Sequence, residues 1–475
     1  MILQITHRLL VGLSLSMIFA ACLSPEETLV NFSHLDYLTE RIPFDNDTVS
    51  IVHIYANYPT YHWVDAKESG PEGIACVDDA ARAAVLYLRD YELRGDKTSL
   101  AKATSLLRFV TKMQTDDGQF YNFILADYSI NRDGKTSYKS FGWWAARGVW
   151  AMATGYRVMK EEDPGFASSL KSGVERSLPH VGKLLEAYGR TETVGDYEIP
   201  GWLLYDSGAD VVSELLLGLS EYYAATQEPH VKTFIEQLAD GLMIMQDGDI
   251  RTFPYGLHRS WKTMWHMWGN GQTQALATAG ALLKDSRMIQ SAEREAEGFY
   301  SRLLIEGFQK EMDVAHPDQR ILFEQIAYAV RPVATGLVRL YEATGNENYL
   351  VMAGLAASWF FGNNVLGQPM YDPSTGRCFD GIIDSTTLNR NSGAESTIEA
   401  LSCLLEVVRY PKARKFIDYR KTGHAANSRY SYASFRSDAG GELTLAIDLQ
   451  DGRLVVLQDE ESAEFIRQVF REEDR

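Results

Sequence analysis

Ser207-Gly208-Ala209-Asp210 returns 185 residues later as Ser392-Gly393-Ala394-Glu395, and each copy opens an apolar, helix-like run. Glu214 and Glu399 both follow their Ser by seven residues, so the echo reaches into the run itself. A fainter echo links Met113-Gln114 and Asp117-Gly118 with Met245-Gln246-Asp247-Gly248, 132 residues on. The two distances are close to three and two units of about 60 residues, each with room for two helices and two connections. Helix openings near residues 76, 140, 206, 266, 323 and 392 count out six units. The expected architecture is a closed ring of six helical hairpins.

Apolar periodicity places twelve helices. The first members of the pairs, near 27–41, 97–114, 165–188, 229–246, 286–308 and 346–361, carry charge on one face, as at Lys97, Lys102, Arg108 and Lys112. Their partners, near 77–94, 140–160, 208–226, 266–284, 322–343 and 393–408, are rich in Ala and Gly and nearly uncharged past their first turns. A helix apolar all round is buried. The partners therefore form the inner ring of an all-α (α/α)6 toroid spanning residues 22–408. No Pro-, Gly- or Ser-rich linker divides residues 30–408, and a ring in which hairpins pack only on their neighbours accommodates that length. Beyond it, 442–449, the Asp451-Gly452 turn and 453–457 read as a β-hairpin, followed by a charged helix over 459–471. Residues 409–475 are a small appendage.

The N-terminus reads as a targeting segment. His7 and Arg8 precede an apolar stretch from Leu9 to Ala20, too short for a permanent membrane span, and Phe19-Ala20-Ala21-Cys22 resembles a lipobox. Residues 1–21 are then a signal peptide and Cys22 carries lipid. The expectation is an exported protein at an outer membrane or cell surface, since Leu23 is not acidic. Cys76, Cys378 and Cys403 lack metal-ligand spacing and do not imply a disulfide. The net charge of -18 with scattered Lys and Arg argues against nucleic acid. Nothing calls for a metal or cofactor, and the oligomeric state is open.

The long, aromatic connections all enter inner helices, so they gather at one mouth of the ring. Six openings bring together Asp78-Asp79, Trp143-Trp144, Asp206 with Asp210, Trp268 with Asn270 and Gln272, Tyr328, and Asn391 with Glu395. Aromatic faces stack on sugar C–H surfaces, and amides and carboxylates bond hydroxyls. Glycoside hydrolysis needs two carboxyl groups, one to protonate the leaving oxygen and one to activate water or attack. Glu395, on the last inner helix, neighbours Asp78 and Asp79, on the first, once the ring closes. That seam is the expected catalytic pair, with Asp206 or Asp210 holding hydroxyls. Tyr61, His62 and Trp63 flank it on one side, and the loop through Asp380 and Asn389 on the other. The same carboxylates also fit helix caps and an Asp78–Arg82 pair.

The runs VDDAARAAVLYL (77–88), MQTDDGQFYNF (113–123), SFGWWAARGVWA (140–151) and GAEST (393–397) resemble the helical domain of six-hairpin glycosidase-type proteins, including versions joined to glycosyltransferases. The resemblance covers roughly residues 50–408. It implies an (α/α)6 toroid and carbohydrate processing. The leading expectation is a glycoside hydrolase. A polysaccharide lyase, recruiting Tyr328, His266, Arg331 and Arg377, and a non-catalytic glycan-binding lipoprotein are the alternatives.

Overall fold

The computed structural model describes residues 29–67 and 72–473. The signal segment and Cys22 lie outside them. Six inner helices are present: α2 (Val77–Arg94), α4 (Trp143–Met159), α6 (Ala209–Thr226), α8 (Gln272–Leu283), α11 (Ala327–Thr344) and α13 (Ala394–Val408). Each packs on the next, and α13 packs back on α2, which closes the ring. The outer ring is α1 (Ser33–Leu38), α3 (Lys97–Lys112), α5 (Pro164–Leu185), α7 (Pro229–Ile244), α9 (Ser286–Glu295) continued through a π turn into α10 (Ser301–Glu306), and α12 (Asn348–Ala357). The fold is an (α/α)6 toroid.

Local chemistry explains the elements. Gly95 and Gly345 end α2 and α11 in left-handed conformations that free an orphan carbonyl to be bonded. Asp96, Asp163 and Asp285 cap the outer helices that follow. Small residues let the inner helices approach closely: a Cβ at Gly218 on α6 would lie 2.8 Å from the Trp150 backbone on α4.

The first outer helix is much shorter than the span expected over 27–41. After Leu38 the chain forms a hairpin of β1 (Thr39–Phe44) and β2 (Asp47–Val52), with β2 lying against α3. Asp45 and Asn46 both take positive φ, the geometry of a two-residue hairpin turn, and the β-branched residues that follow prefer a strand. The C-terminal region holds more strand than the expected hairpin. β3 (Arg420–Ala426), β4 (Tyr430–Arg436), β5 (Glu442–Asp448) and β6 (Arg453–Gln458) form one antiparallel sheet, covered by the terminal helix α15 (Asp459–Glu473). Phe416, Tyr419, Phe435 and Leu445 join the main core. The short α14 (Pro411–Arg414) packs on α12, and α12 is buried from Tyr349 to Ala357 instead of showing the polar face expected of an outer helix.

Candidate active site

The inner helices start at one mouth, where two cavities of about 500 and about 470 Å³ meet. Asp78, Arg147, Tyr328 and Glu395 line both and form the seam between them. One lobe is aromatic, walled by Trp143, Trp144 and Trp268 with Asp210 and His266. The other is acidic and amide-rich, with Asp79, Glu324, Asp380, Asn389 and Asn391.

The two ends of the chain's ring meet beside Glu395. Ser392 and Ala394 donate backbone hydrogen bonds to Ala56 and Ile54, and a Cβ at Gly393 would lie 2.5 Å from the Ile54 carbonyl oxygen. The 362–391 loop is pinned by backbone pairing of Gln325–Ile326 with Gly381–Ile382, which pairs in turn with Leu388–Asn389. Asp380 then accepts hydrogen bonds from the Gly393 amide at 2.8 Å and the Ser396 hydroxyl at 2.6 Å. It satisfies the start of α13 where the sequence suggested a Ser392–Glu395 capping box. That box is not formed, nor is the one at Ser207–Asp210, where the Ser207 hydroxyl is buried without a partner. Freed from capping, Glu395 turns into the cavity.

Arg82 holds one Glu395 oxygen, Oε2, with two N–H groups at 3.1 Å each. None of the described residues hydrogen-bonds Oε1. The side chain is 44% exposed although it sits deep among protein atoms. That depth pushes the Glu395 carboxyl above its ordinary range, against the opposing pull of Arg82 and with the repulsion of Asp79 and Glu399 added. Asp78 accepts from Arg147 at 2.8 Å and from the Asn122 amide at 2.9 Å, and faces both lobes. Asp79 is different. Its carboxyl is only 4% exposed, receiving Arg82 at 2.6 Å and the Cys76 thiol at 3.4 Å. Burial and the adjacent aspartates push that thiol well up, so it serves as a donor and not as a nucleophile. The expected Asp78–Arg82 side-chain pair is corrected too: Arg82 meets only the Asp78 carbonyl and gives its guanidinium to Asp79, Glu395 and Glu399.

Across the aromatic lobe, Asp210 accepts a hydrogen bond from His266 Nε2 at 3.0 Å in the tautomer that carries a proton there, and Trp268 stacks on the imidazole at 4.2 Å. Trp144 donates its indole N–H to the Phe120 carbonyl, and Arg147 lies over Trp143. Other sequence candidates lie away from the cavities. Asn270 and Gln272 are buried in the wall, bonded to Tyr300 and to the Gly269 carbonyl. Asp206 is exposed on the rim. His62 is exposed, and Trp63 stacks on His53 at 3.8 Å, outside both lobes.

Beneath the lobes lies a polar plug that sequence reasoning missed as a unit. Each inner helix contributes one residue a turn past its opening: Arg82 after Asp78, Arg147 after Trp143, Glu214 after Asp210, Gln274 after the buried Asn270, Arg331 after Ala327, and Glu399 after Glu395. Arg82 bonds Glu399 at 3.0 Å, and Arg331 bonds Glu399 at 2.6 Å and Gln274 at 2.8 Å, with Glu214 at 3.6 Å. Tyr328 ties the plug to the seam, accepting from Arg147 at 2.7 Å and donating to Glu214 at 3.0 Å, with three guanidiniums around its ring. The signal was available: charges set among the apolar middle turns of a buried helix must find partners. Arg331 is thus sealed inside the plug and Arg377 lies over Tyr61 outside the lobes, so the arginines that line the lobes are Arg147 and Arg82 and not the two named from the sequence.

No protein-family model and no curated sequence matches the chain. Solved structures do. A sugar epimerase from a ruminal bacterium aligns with a TM-score of 0.57 at 13% identity, over 81% of this chain and 97% of that one. Cellobiose 2-epimerase from Bacillus thermoamylovorans gives 0.55 at 13%, over 79% and 95%. A D-mannose isomerase gives 0.51 at 11%, over 75% and 91%. The chain shares its six-hairpin toroid with these three proteins.

Proposed function

We propose that the protein is a carbohydrate-active enzyme and that it hydrolyses a glycosidic bond laid over the seam. The observation that carries this reading is the unequal pair in one cavity. Glu395 has an open oxygen and a carboxyl lifted by burial, which suits a general acid; Asp78, facing the same space and accepting only from Arg147 and Asn122, suits the base or nucleophile. Asp79, consumed by Arg82 and Cys76, positions rather than reacts. The aromatic lobe offers Trp143 and Trp268 as stacking faces. Similarity in fold to proteins named for sugar epimerisation and isomerisation supports a sugar in the mouth.

A second reading rests on the His266–Asp210 pair, whose hydrogen-bonded imidazole could move a proton at a sugar carbon. The two are separated by one experiment: reducing-end release from a glycan panel beside deuterium uptake by mannose, glucose and cellobiose in heavy water. Release lost in Glu395→Gln and Asp78→Asn, with folding intact, supports hydrolysis. Deuterium uptake without release, lost in His266→Gln, transfers the assignment to proton exchange.

Export and a lipid anchor at Cys22 belong to the same proposal and rest on the N-terminal sequence alone. No helix of the described residues is long and apolar enough to cross a membrane. Incorporation of labelled fatty acid, lost in Cys22→Ser, is the expected result.

A further inference from the structure

We propose that the mouth is a blind site with two sugar-ring subsites, one per lobe, so that the protein takes chain ends or short oligosaccharides and not the interior of a threaded chain. This rests on the carbohydrate reading above and adds the shape of its substrate.

The floor is the first argument. All six inner helices supply the plug, its ion pairs are nine-tenths buried, and its guanidiniums are shared among carboxylates already in place. Pulling that network apart to admit a polymer would leave buried charges unpaired. Behind the plug lies a separate cavity of about 300 Å³ that shares Arg82, Gln274, Arg331 and Glu399 as its wall. The bore is interrupted.

The walls are the second argument. Beside the acidic lobe the 362–391 loop is held by strand pairing, and the Tyr55–Asn57 strand pairs with His62–Val64. These are hydrogen-bonded structures, not open loop ends. Each lobe falls in the lower half of the roughly 300–1,000 Å³ range of small-molecule sites, which admits a hydroxylated ring, and the plug and the paired walls, not the volume, limit the run.

Chemistry assigns the rings. Trp143 and Trp268 offer faces in one lobe, whereas Asp380, Asn389 and Asn391 offer hydroxyl partners in the other. Glu395 and Asp78 line both, so the bond joining the two rings crosses them.

The test is an affinity ladder on full-length Glu395→Gln protein, titrated calorimetrically with gluco-, manno- and xylo-oligosaccharides of one to six rings. For a ladder that binds, the second ring improves affinity roughly tenfold and the third to sixth change it less than about threefold. Trp143→Ala and Asn389→Ala, one in each lobe, each weaken the disaccharide about fivefold or more. Affinity that climbs through four to six rings overturns the blind site while leaving the carbohydrate reading intact, and a monosaccharide binding as tightly as the disaccharide overturns the two-subsite form. A folded protein that binds no rung of any ladder sinks both.

Discussion

The two ends of the bore are built on the same six helices yet treat charge in opposite ways. At the rear, Arg89, Glu92, Arg157 and Glu221 close one four-membered ring of ion pairs, and Arg339, Glu342, Glu406 and Arg409 close a second. Between them the walls are apolar, with Val85, Leu217, Ala277 and Leu405. At the front, five carboxyls, Asp78, Asp79, Glu214, Glu395 and Glu399, share three guanidiniums, Arg82, Arg147 and Arg331. Saturated pairs hold helices together; an acid excess leaves oxygens for chemistry. The deficit of cations, not the presence of acids, marks the end proposed as functional.

That contrast can be broken by substitution. Glu395→Gln should lower turnover by about 10²–10⁴ with the fold unchanged, as expected for loss of a general acid; near-normal turnover on a substrate that binds the mouth would strip the front of its special status. Arg82→Met should destabilise the protein by about 3–5 kcal/mol, because Asp79 is left buried without its cation and Glu399 keeps only Arg331, and thermal unfolding reads this directly. The pH profile sharpens the comparison. Glu395 is raised in the folded protein, so its acidic form, which the proposed hydrolysis needs, persists above the ordinary carboxyl range and activity should fall as pH rises through the raised value. By linkage, the stability that its extra proton confers is fully present below the unfolded value and is lost across the same rise. An activity profile flat through that window would remove Glu395 as the acid. The smallest effect belongs to the rear: Arg339→Met should cost about 1–2 kcal/mol and leave turnover unchanged. A rear loss as large as that of Arg82→Met would erase the distinction.

The ring was legible because its signal is repeated. The Ser-Gly-Ala-acid echo and the Ala-rich runs recur at a fixed period, and the helices and their closure follow from that. The seam at Glu395 and Asp78 was legible as adjacency after closure. The partition between Asp78 and Asp79 was not, since neighbouring residues on a helix point about 100° apart and only the fold decides which one meets Arg82. Asn270 and Gln272 were misjudged as mouth groups for the same reason: polar type does not say which way a side chain faces. His266 carried a weaker signal. Its partner Asp210 is 56 residues away, on the preceding inner helix, and no local spacing joins them. The first outer helix was overread because apolar periodicity over 27–41 carried past Leu38 into the first strand, whose hairpin is announced only by the Asp45-Asn46 turn beyond that span.

The plug also acts as a counter of hairpins. Stacked helical hairpins have no intrinsic reason to stop at six, since each buries its face against the next. Here Glu214 from the third inner helix and Glu399 from the sixth, the two ends of the sequence echo, converge on Arg331 of the fifth. That meeting exists only when the ring is complete. A chain with one hairpin deleted would hold surplus buried charge at its axis and two unmatched helical faces, and light scattering should find it as open, self-associating species instead of a smaller closed ring.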